Sequence, residues 1–378
     1  MPRPRCPPRR NPRIGQPEPR SPRRLLGPRR ALITYQHRPR RPAHSRSSYR
    51  EVTASPGRTE HSNRGLCPLL RSRADRHRPC RWDAQREDRC VVTSSDDRPW
   101  PVYVGIDGSA TALEACAWVA RYAADENIPV TLVHAIPNTE WFPGSTAGSD
   151  GRELFEAFRS TGRDILVEAE SVVHRTASSV DVETVLTRRP IAPFMATISK
   201  WASLVVVGSS SSDGTVLGGE TVRICDGAQS AVMVFRTPTA ESKNGALPVE
   251  VGVDCSDRAE AVLLTAFEYA RSLRAPLAVS HVLQAPSGPH ADSVDWSALK
   301  VEQGRWLFEV VEQLGEKFDD VETSVRATVG SAARHLRERS VHAQLLVVGR
   351  RGRCRGTVPG SVGQNVLHHA GCPVLVVP

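Results

Sequence analysis

The sequence predicts an α/β fold: two tandem domains, each a five-stranded parallel sheet flanked by helices, behind a disordered N-terminal arm. Three observations predict it. From about residue 101 onward, short apolar runs alternate with stretches of helical periodicity, the pattern of parallel β-α-β units. Several runs, such as Leu204–Val207 and Leu345–Val348, have no polar interruption, as expected of strands covered on both faces. The whole pattern then occurs twice.

The first hundred residues stand apart. The chain of 378 residues carries a net charge of +9, but residues 1–100 hold 25 Arg, no Lys and 9 acids, a net +16. The remainder is therefore −7. The opening MPRPRCPPRRNPRIGQPEPRSPRR has too few apolar residues to build a core. Leu25-Leu26 and Ala31-Leu32-Ile33 are separated by Pro28, Arg29 and Arg30, which breaks any secretory h-region. Residues 1–97 are expected to be a disordered arm. An arm binding nucleic-acid phosphates through arginine is the less favoured reading. Arginine without lysine also fits coding bias, in which case a misplaced start is expected and Val91 or Val92 would open the folded chain.

The first domain is expected over 98–240. VYVGI at 102–106 is a strand ending at Asp107-Gly108-Ser109, and Ala112 to Asn127 is a helix with Leu113, Cys116, Ala117, Ala120 and Ala124 on one face. Pro129 to His134 is the second strand. A Pro/Gly loop leads to a long helix, Leu154 to His174, and Val180 to Leu186 is the third strand. A short helix, Ile191 to Trp201, precedes strand four at Leu204 to Val207 and strand five at Ala231 to Phe235. Residues 241–247, ESKNGAL, read as a linker.

The second domain, 248–378, repeats the order. Val249 to Val253 is a strand ending at Asp254-Cys255-Ser256, followed by a helix over Ala259 to Leu273 and a strand over Leu277 to Val282. Leu299 to Lys317 is a helix, Val321 to Thr328 a strand and Ala332 to Ser340 a helix, leading into the strand at 345–348. VGIDGS at 104–109 answers VGVDCS at 251–256, LVVVG at 204–208 answers LLVVG at 345–349, and SAVMVF at 230–235 answers CPVLVV at 372–377. Gly105 to Gly208 spans 103 residues and Gly252 to Gly349 spans 97, a period that means duplicated domains and not a solenoid.

The most informative stretch is Leu345 to Pro378. Gly349, Gly352, Gly356 and Gly360 follow a buried strand, and Ser361 sits where the N-cap of the next helix belongs. Such a loop lets backbone N–H groups approach an anion, the chemistry of a phosphate cradle. Gly349-x2-Gly352, a spacer over 353–359, Gly360-Ser361 and then CPVLVV together resemble the nucleotide-binding signature of the universal stress protein family. The spacer is shorter than the family's commonest form. The resemblance covers about 101–378 and implies tandem Rossmann-like domains of the adenine nucleotide alpha hydrolase-like type, with strand order 3-2-1-4-5.

It also implies a ligand, ATP, which Mg can accompany. In the second domain Asp254 would meet the adenine or its neighbourhood, Val282 would border the base, and Gly349, Gly352, Gly360 and Ser361 would hold ribose and phosphates; Gly252, Val348 and Val362 complete the implied binding set. In the first domain Gly105, Asp107 and Gly208 match, but Ser211 replaces the second glycine and Glu220 stands where the family has Ser or Thr. A carboxylate there repels phosphate, so weaker nucleotide binding is expected in that half. Asp254 also fits a plain turn-forming or helix-capping acid.

Other chemistry finds little support. Nine scattered cysteines include no CxxC pair, which argues for reduced thiols, a cytoplasmic protein and no zinc site. Cys354, between Arg353 and Arg355, is a candidate redox-sensitive loop thiol. No apolar run of about 18 residues exists to cross a membrane. GxSxG, HExxH and Walker A patterns are absent. Two classes stay open, a nucleotide-binding regulatory module in stress response and a slow ATP hydrolase, and the lack of a positioned general base favours the first. The partners expected are an adenine nucleotide and the other domain of the same chain, with a second copy as a further candidate, and neither membrane nor nucleic acid.

Overall fold

A computed structural model describes residues 33–37, 80–82, 90–92, 99–137, 149–209, 218–237, 247–283, 296–350 and 361–378. Within the N-terminal arm, the described segments are β1 (Ile33–His37), β2 (Cys80–Trp82) and β3 (Cys90–Val92), the last two paired with each other.

The first half runs β4 (Val102–Gly105), α1 (Ala110–Glu126), β5 (Val130–Ala135), α2 (Ser149–Thr176), β6 (Val182–Thr187), α3 (Ile191–Ile198), β7 (Leu204–Gly208), α4 (Gly219–Gly227) and β8 (Val232–Phe235). The second half runs β9 (Val249–Val253), α5 (Ala259–Ser272), β10 (Leu277–Leu283), α6 (Trp296–Gly315), β11 (Thr323–Val329), α7 (Ala332–Ser340), β12 (Leu345–Gly349), α8 (Ser361–His369) and β13 (Val374–Val377). Each half is a parallel five-stranded sheet, ordered β6-β5-β4-β7-β8 and β11-β10-β9-β12-β13. This is the predicted order 3-2-1-4-5 in both.

Burial follows the sequence pattern. The central strands β7 and β12 are buried along four of their five residues. The outer strand β6 is less covered, with Glu183 and Thr184 exposed and Val185 and Thr187 buried. The strands β8 and β13 are last in their halves, yet all four residues of each are buried. They pair antiparallel, Val374 opposite Val234 and Val376 opposite Val232, and join the halves into one sheet. β1 adds antiparallel to β11 at its far edge.

Two apolar layers cover the faces of this sheet. One packs α1, α2, α5 and α6, through residues such as Val119, Leu166, Leu263 and Leu307, onto one face. The other packs α3, α4, α7 and α8, through Met195, Ile224, Leu336 and Val366, onto the opposite face. Both layers run through both halves. On the first face Tyr122 of α1 stacks on Tyr269 of α5 with centroids 5.5 Å apart.

On the second face two arginines cross the seam. The Arg236 guanidinium donates to the Leu367 carbonyl of α8. Arg350 Nη1 donates to the carbonyls of Asp226 at 3.1 Å and Ala228 at 2.5 Å, at the C-terminus of α4. A cation suits that end of a helix, whose last carbonyls lack partners within it. Arg350→Met is expected to cost about 2 kcal/mol in urea denaturation, since it strands carbonyls in a partly buried seam. An unchanged midpoint would show that the seam relies on strand pairing alone.

Candidate nucleotide site

In a sheet of order 3-2-1-4-5 the chain turns in opposite directions from strands one and four, which leaves a crevice at their carboxyl ends. In the second half those strands are β9 and β12, and β10 lies on the far side of β9. His281 is level with Val253 and Val348 is level with Gly252. Asp254, Val282 and Gly349 therefore emerge side by side at one edge. α8 begins at Ser361 itself, and Val362, one residue on, is part-buried against the second apolar layer. Gly352 and Gly360 lie outside the described residues.

Asp254 and Asp107 do the same local work. The Ser256 N–H donates to Asp254 Oδ1 at 3.3 Å, and the Ser109 N–H donates to Asp107 Oδ1 at 2.9 Å. Each carboxylate thus closes a turn at the end of strand one. The turns then diverge. Gly108 has φ +83°, a left-handed conformation that glycine takes without strain, and Ser109 caps α1 through Ala112 N–H. Cys255 replaces that glycine, and α5 starts two residues later in register than α1.

Gly252 faces a helix, and Gly105 faces chiefly a side chain of the neighbouring strand β7. A Cβ at Gly252 would lie 2.5 Å from Leu336 Cδ1 of α7, and one at Gly105 would lie 3.2 Å from Val207 Cγ1. The glycines thus let side chains approach the strand from the second apolar layer. Gly208 is looser, since its added Cβ would make only ordinary contacts with α1, the nearest to Ala112 N at 3.6 Å.

Glu220, expected at the phosphate end of the first half, is already engaged. Its Oε2 accepts from Ala192 N–H at 3.3 Å, and its Oε1 accepts from Arg223 Nη1 at 2.9 Å. The cap residue of α3, Pro190, makes no side-chain cap bond, so a carboxylate from α4 supplies the negative charge that this helix end favours. In the second half the corresponding helix α7 is capped by its own Ser331, after Gly330 at φ +151°. The sequence showed Glu220 as a misfit, but its target lies 28 residues away and only the packing of α3 on α4 reveals it.

A histidine in each half escaped the sequence reading. His134 Nδ1 donates to the Ile106 carbonyl at 2.7 Å, and His281 Nδ1 donates to the Val253 carbonyl at 2.9 Å. Each ring ties strand two to the end of strand one, beside the aspartate. The signal was present: each histidine follows the strand-one glycine by the same interval, Gly105 to His134 and Gly252 to His281.

The universal stress protein family profile matches this chain twice, over residues 101–236 and 248–378. The chain belongs to the universal stress protein family. Universal stress protein Rv2005c of Mycobacterium tuberculosis is 31% identical over 291 residues, spanning 73% of this chain and 96% of its own. A crystal structure of a universal stress protein from Archaeoglobus fulgidus shares the fold, with TM-score 0.54 and 16% identity over 73% of this chain and 95% of its own. A further universal stress protein from the same organism, solved in complex with dAMP, is 28% identical over 35% of this chain and 98% of its own, with TM-score 0.28.

Among the described residues, no cluster of His, Cys, Asp and Glu could hold a metal ion, and no helix is long and apolar enough to cross a membrane.

Proposed function

We propose that this universal stress protein is an adenine-nucleotide-binding regulatory module, with ATP taken chiefly by its second half. The observation that carries the reading is the convergence of Asp254, Val282 and Gly349 at the switch point ahead of α8. Asp254 would meet the nucleoside, Val282 would flank the base, and the backbone from Gly349 to Ser361 would hold the phosphates. The donor set fits the group: a carboxylate suits nucleoside hydroxyl or amino protons, and a glycine loop ending at a helix N-terminus suits phosphate. Mg would travel with the phosphates. The first half offers Asp107 and Gly208, but there Glu220 supplies an internal anion. Because β8 and β13 join the sheets, ATP in one half would alter a body that both halves share, which is what a regulatory module requires.

Titration calorimetry of the full chain tests this. A single ATP site per chain is expected. Gly360→Glu should abolish it by placing a carboxylate among the phosphates. Asp254→Ala should weaken it by about 1–3 kcal/mol, the cost of leaving a buried partner unpaired. Glu220→Ser should add a second, weaker site. Equal binding by both halves, or loss of binding on Asp107→Ala but not on Asp254→Ala, would refute the assignment.

A further inference from the structure

We propose that Cys255 is a reactive thiol, activated by His281, and that peroxide modifies it. Cys116, Cys225 and Cys372 are buried, whereas Cys255 is partly exposed. Burial pushes the Cys116 and Cys225 thiols up to about 12, and the Cys372 thiol upward as well, so these three stay protonated and inert.

Cys255 has a different neighbourhood. Its Sγ lies 3.8 Å from His281 Nε2. That ring is buried and held on both nitrogens: Nδ1 donates to the Val253 carbonyl at 2.9 Å, and Nε2 donates to Gln303 Oε1 of α6 at 2.8 Å. Both ring nitrogens lie within hydrogen-bond distance of an oxygen, and the protonated imidazole is the form that can donate to both. Burial pulls its pKa down, but the bonds to Cys255, Val253 and Gln303 outweigh burial and the net direction is upward. Among the described cysteines, Cys255 alone combines partial exposure with a histidine nitrogen beside its sulfur.

The duplicated half supplies an internal comparison. His134 keeps the carbonyl bond, at 2.7 Å, but Gly108 stands where Cys255 would be. The ring of His134 lies instead against Gly162, where an added Cβ would come within 2.9 Å of its Cδ2. Holding strand two to strand one therefore requires only the histidine. The thiol and the amide are additions of the second half, and both converge on Nε2.

The chemistry balances with hydrogen peroxide as oxidant. The Cys255 thiolate attacks one peroxide oxygen, an S–O bond forms and the O–O bond breaks. The departing hydroxide takes the Nε2 proton of His281 and leaves as water. Sulfur is oxidised to sulfenic acid, peroxide is reduced, and neutral imidazole remains. No nucleotide is needed, so the inference stands apart from the ATP assignment.

The test is peptide-resolved mass spectrometry on the full chain at neutral pH. Alkylation of Cys255 by iodoacetamide should be about tenfold faster in the folded protein, where His281 stands beside the sulfur, than in the urea-unfolded chain. His281→Gln should remove that advantage. Should this variant fail to fold, Gln303→Leu keeps the Val253 bond and should still slow alkylation several-fold. Dimedone should trap Cys255 sulfenic acid after peroxide treatment. A folded rate no faster than the unfolded one, a rate unchanged by Gln303→Leu, or no dimedone adduct at Cys255 would overturn the proposal.

Discussion

Replacing Arg339 by methionine is expected to destabilise the protein by about 3 kcal/mol at neutral pH, because it strands a carboxylate inside the sheet. Glu250 lies on β9 and is 0% exposed. Its Oε1 accepts from Ser280 Oγ at 2.5 Å and its Oε2 accepts from Arg339 Nε of α7 at 3.1 Å. Ser280 Oγ also lies 3.2 Å from His335 Nε2. Removing one partner of a buried pair typically costs about 3–5 kcal/mol. The low end applies because Arg339 keeps a 26% exposed side chain and Glu250 can escape by protonating. Glu250→Gln should cost less, since an amide needs no counter-charge. The first half shows the apolar solution, Tyr103 at the same repeat position, buried and with its hydroxyl pushed up to about 12 by burial and then by Glu183. Chemical denaturation of the two variants decides. A smaller loss for Arg339→Met than for Glu250→Gln would show that the carboxylate does not need its arginine.

The same carboxyl sets a pH dependence. Burial pushes Glu250 up, against the opposing pulls of Ser280 and Arg339. A carboxyl raised on folding takes up a proton as the chain folds. Its contribution to stability is therefore full below the ordinary glutamate value, about 4.3, and is lost as pH rises through the higher folded value. Glu250→Gln should remove this falling component from the stability curve above about pH 4.

Gly252→Val is expected to cost about 2–3 kcal/mol through overpacking. Its Cβ alone would approach Leu336 Cδ1 to 2.5 Å and Cδ2 to 2.9 Å, and Leu336 is 4% exposed, with little room to turn away. The equivalent change at Gly105 meets Val207 Cγ1 at 3.2 Å and should cost less. Thermal unfolding of both variants checks the order. A Gly252→Val protein as stable as the parent would mean that α7 shifts without loss. The result matters for the candidate site, because a glycine at the crevice can be required by the helix behind it and not by a ligand in front of it.

The apolar runs and their repetition determined the elements, their parallel arrangement and the duplication, because a strand buried on both faces needs an uninterrupted apolar sequence. The matched intervals from Gly105 to His134 and from Gly252 to His281 were also in the sequence, but a histidine on a strand has no local signature that tells which carbonyl it will meet. Contacts between distant segments were decided only by the tertiary structure. SAVMVF and CPVLVV showed that both final strands are apolar, and the antiparallel register of Val234 with Val374 showed what covers them. DCSD resembled DGSA, yet Gly108 takes the left-handed region while Cys255 turns toward His281. Glu220 was legible as a misfit, and its bond to Ala192 N–H came from helix packing across 28 residues. Periodicity reports which face of an element is apolar, and it carries no information on which polar atoms meet once those faces close.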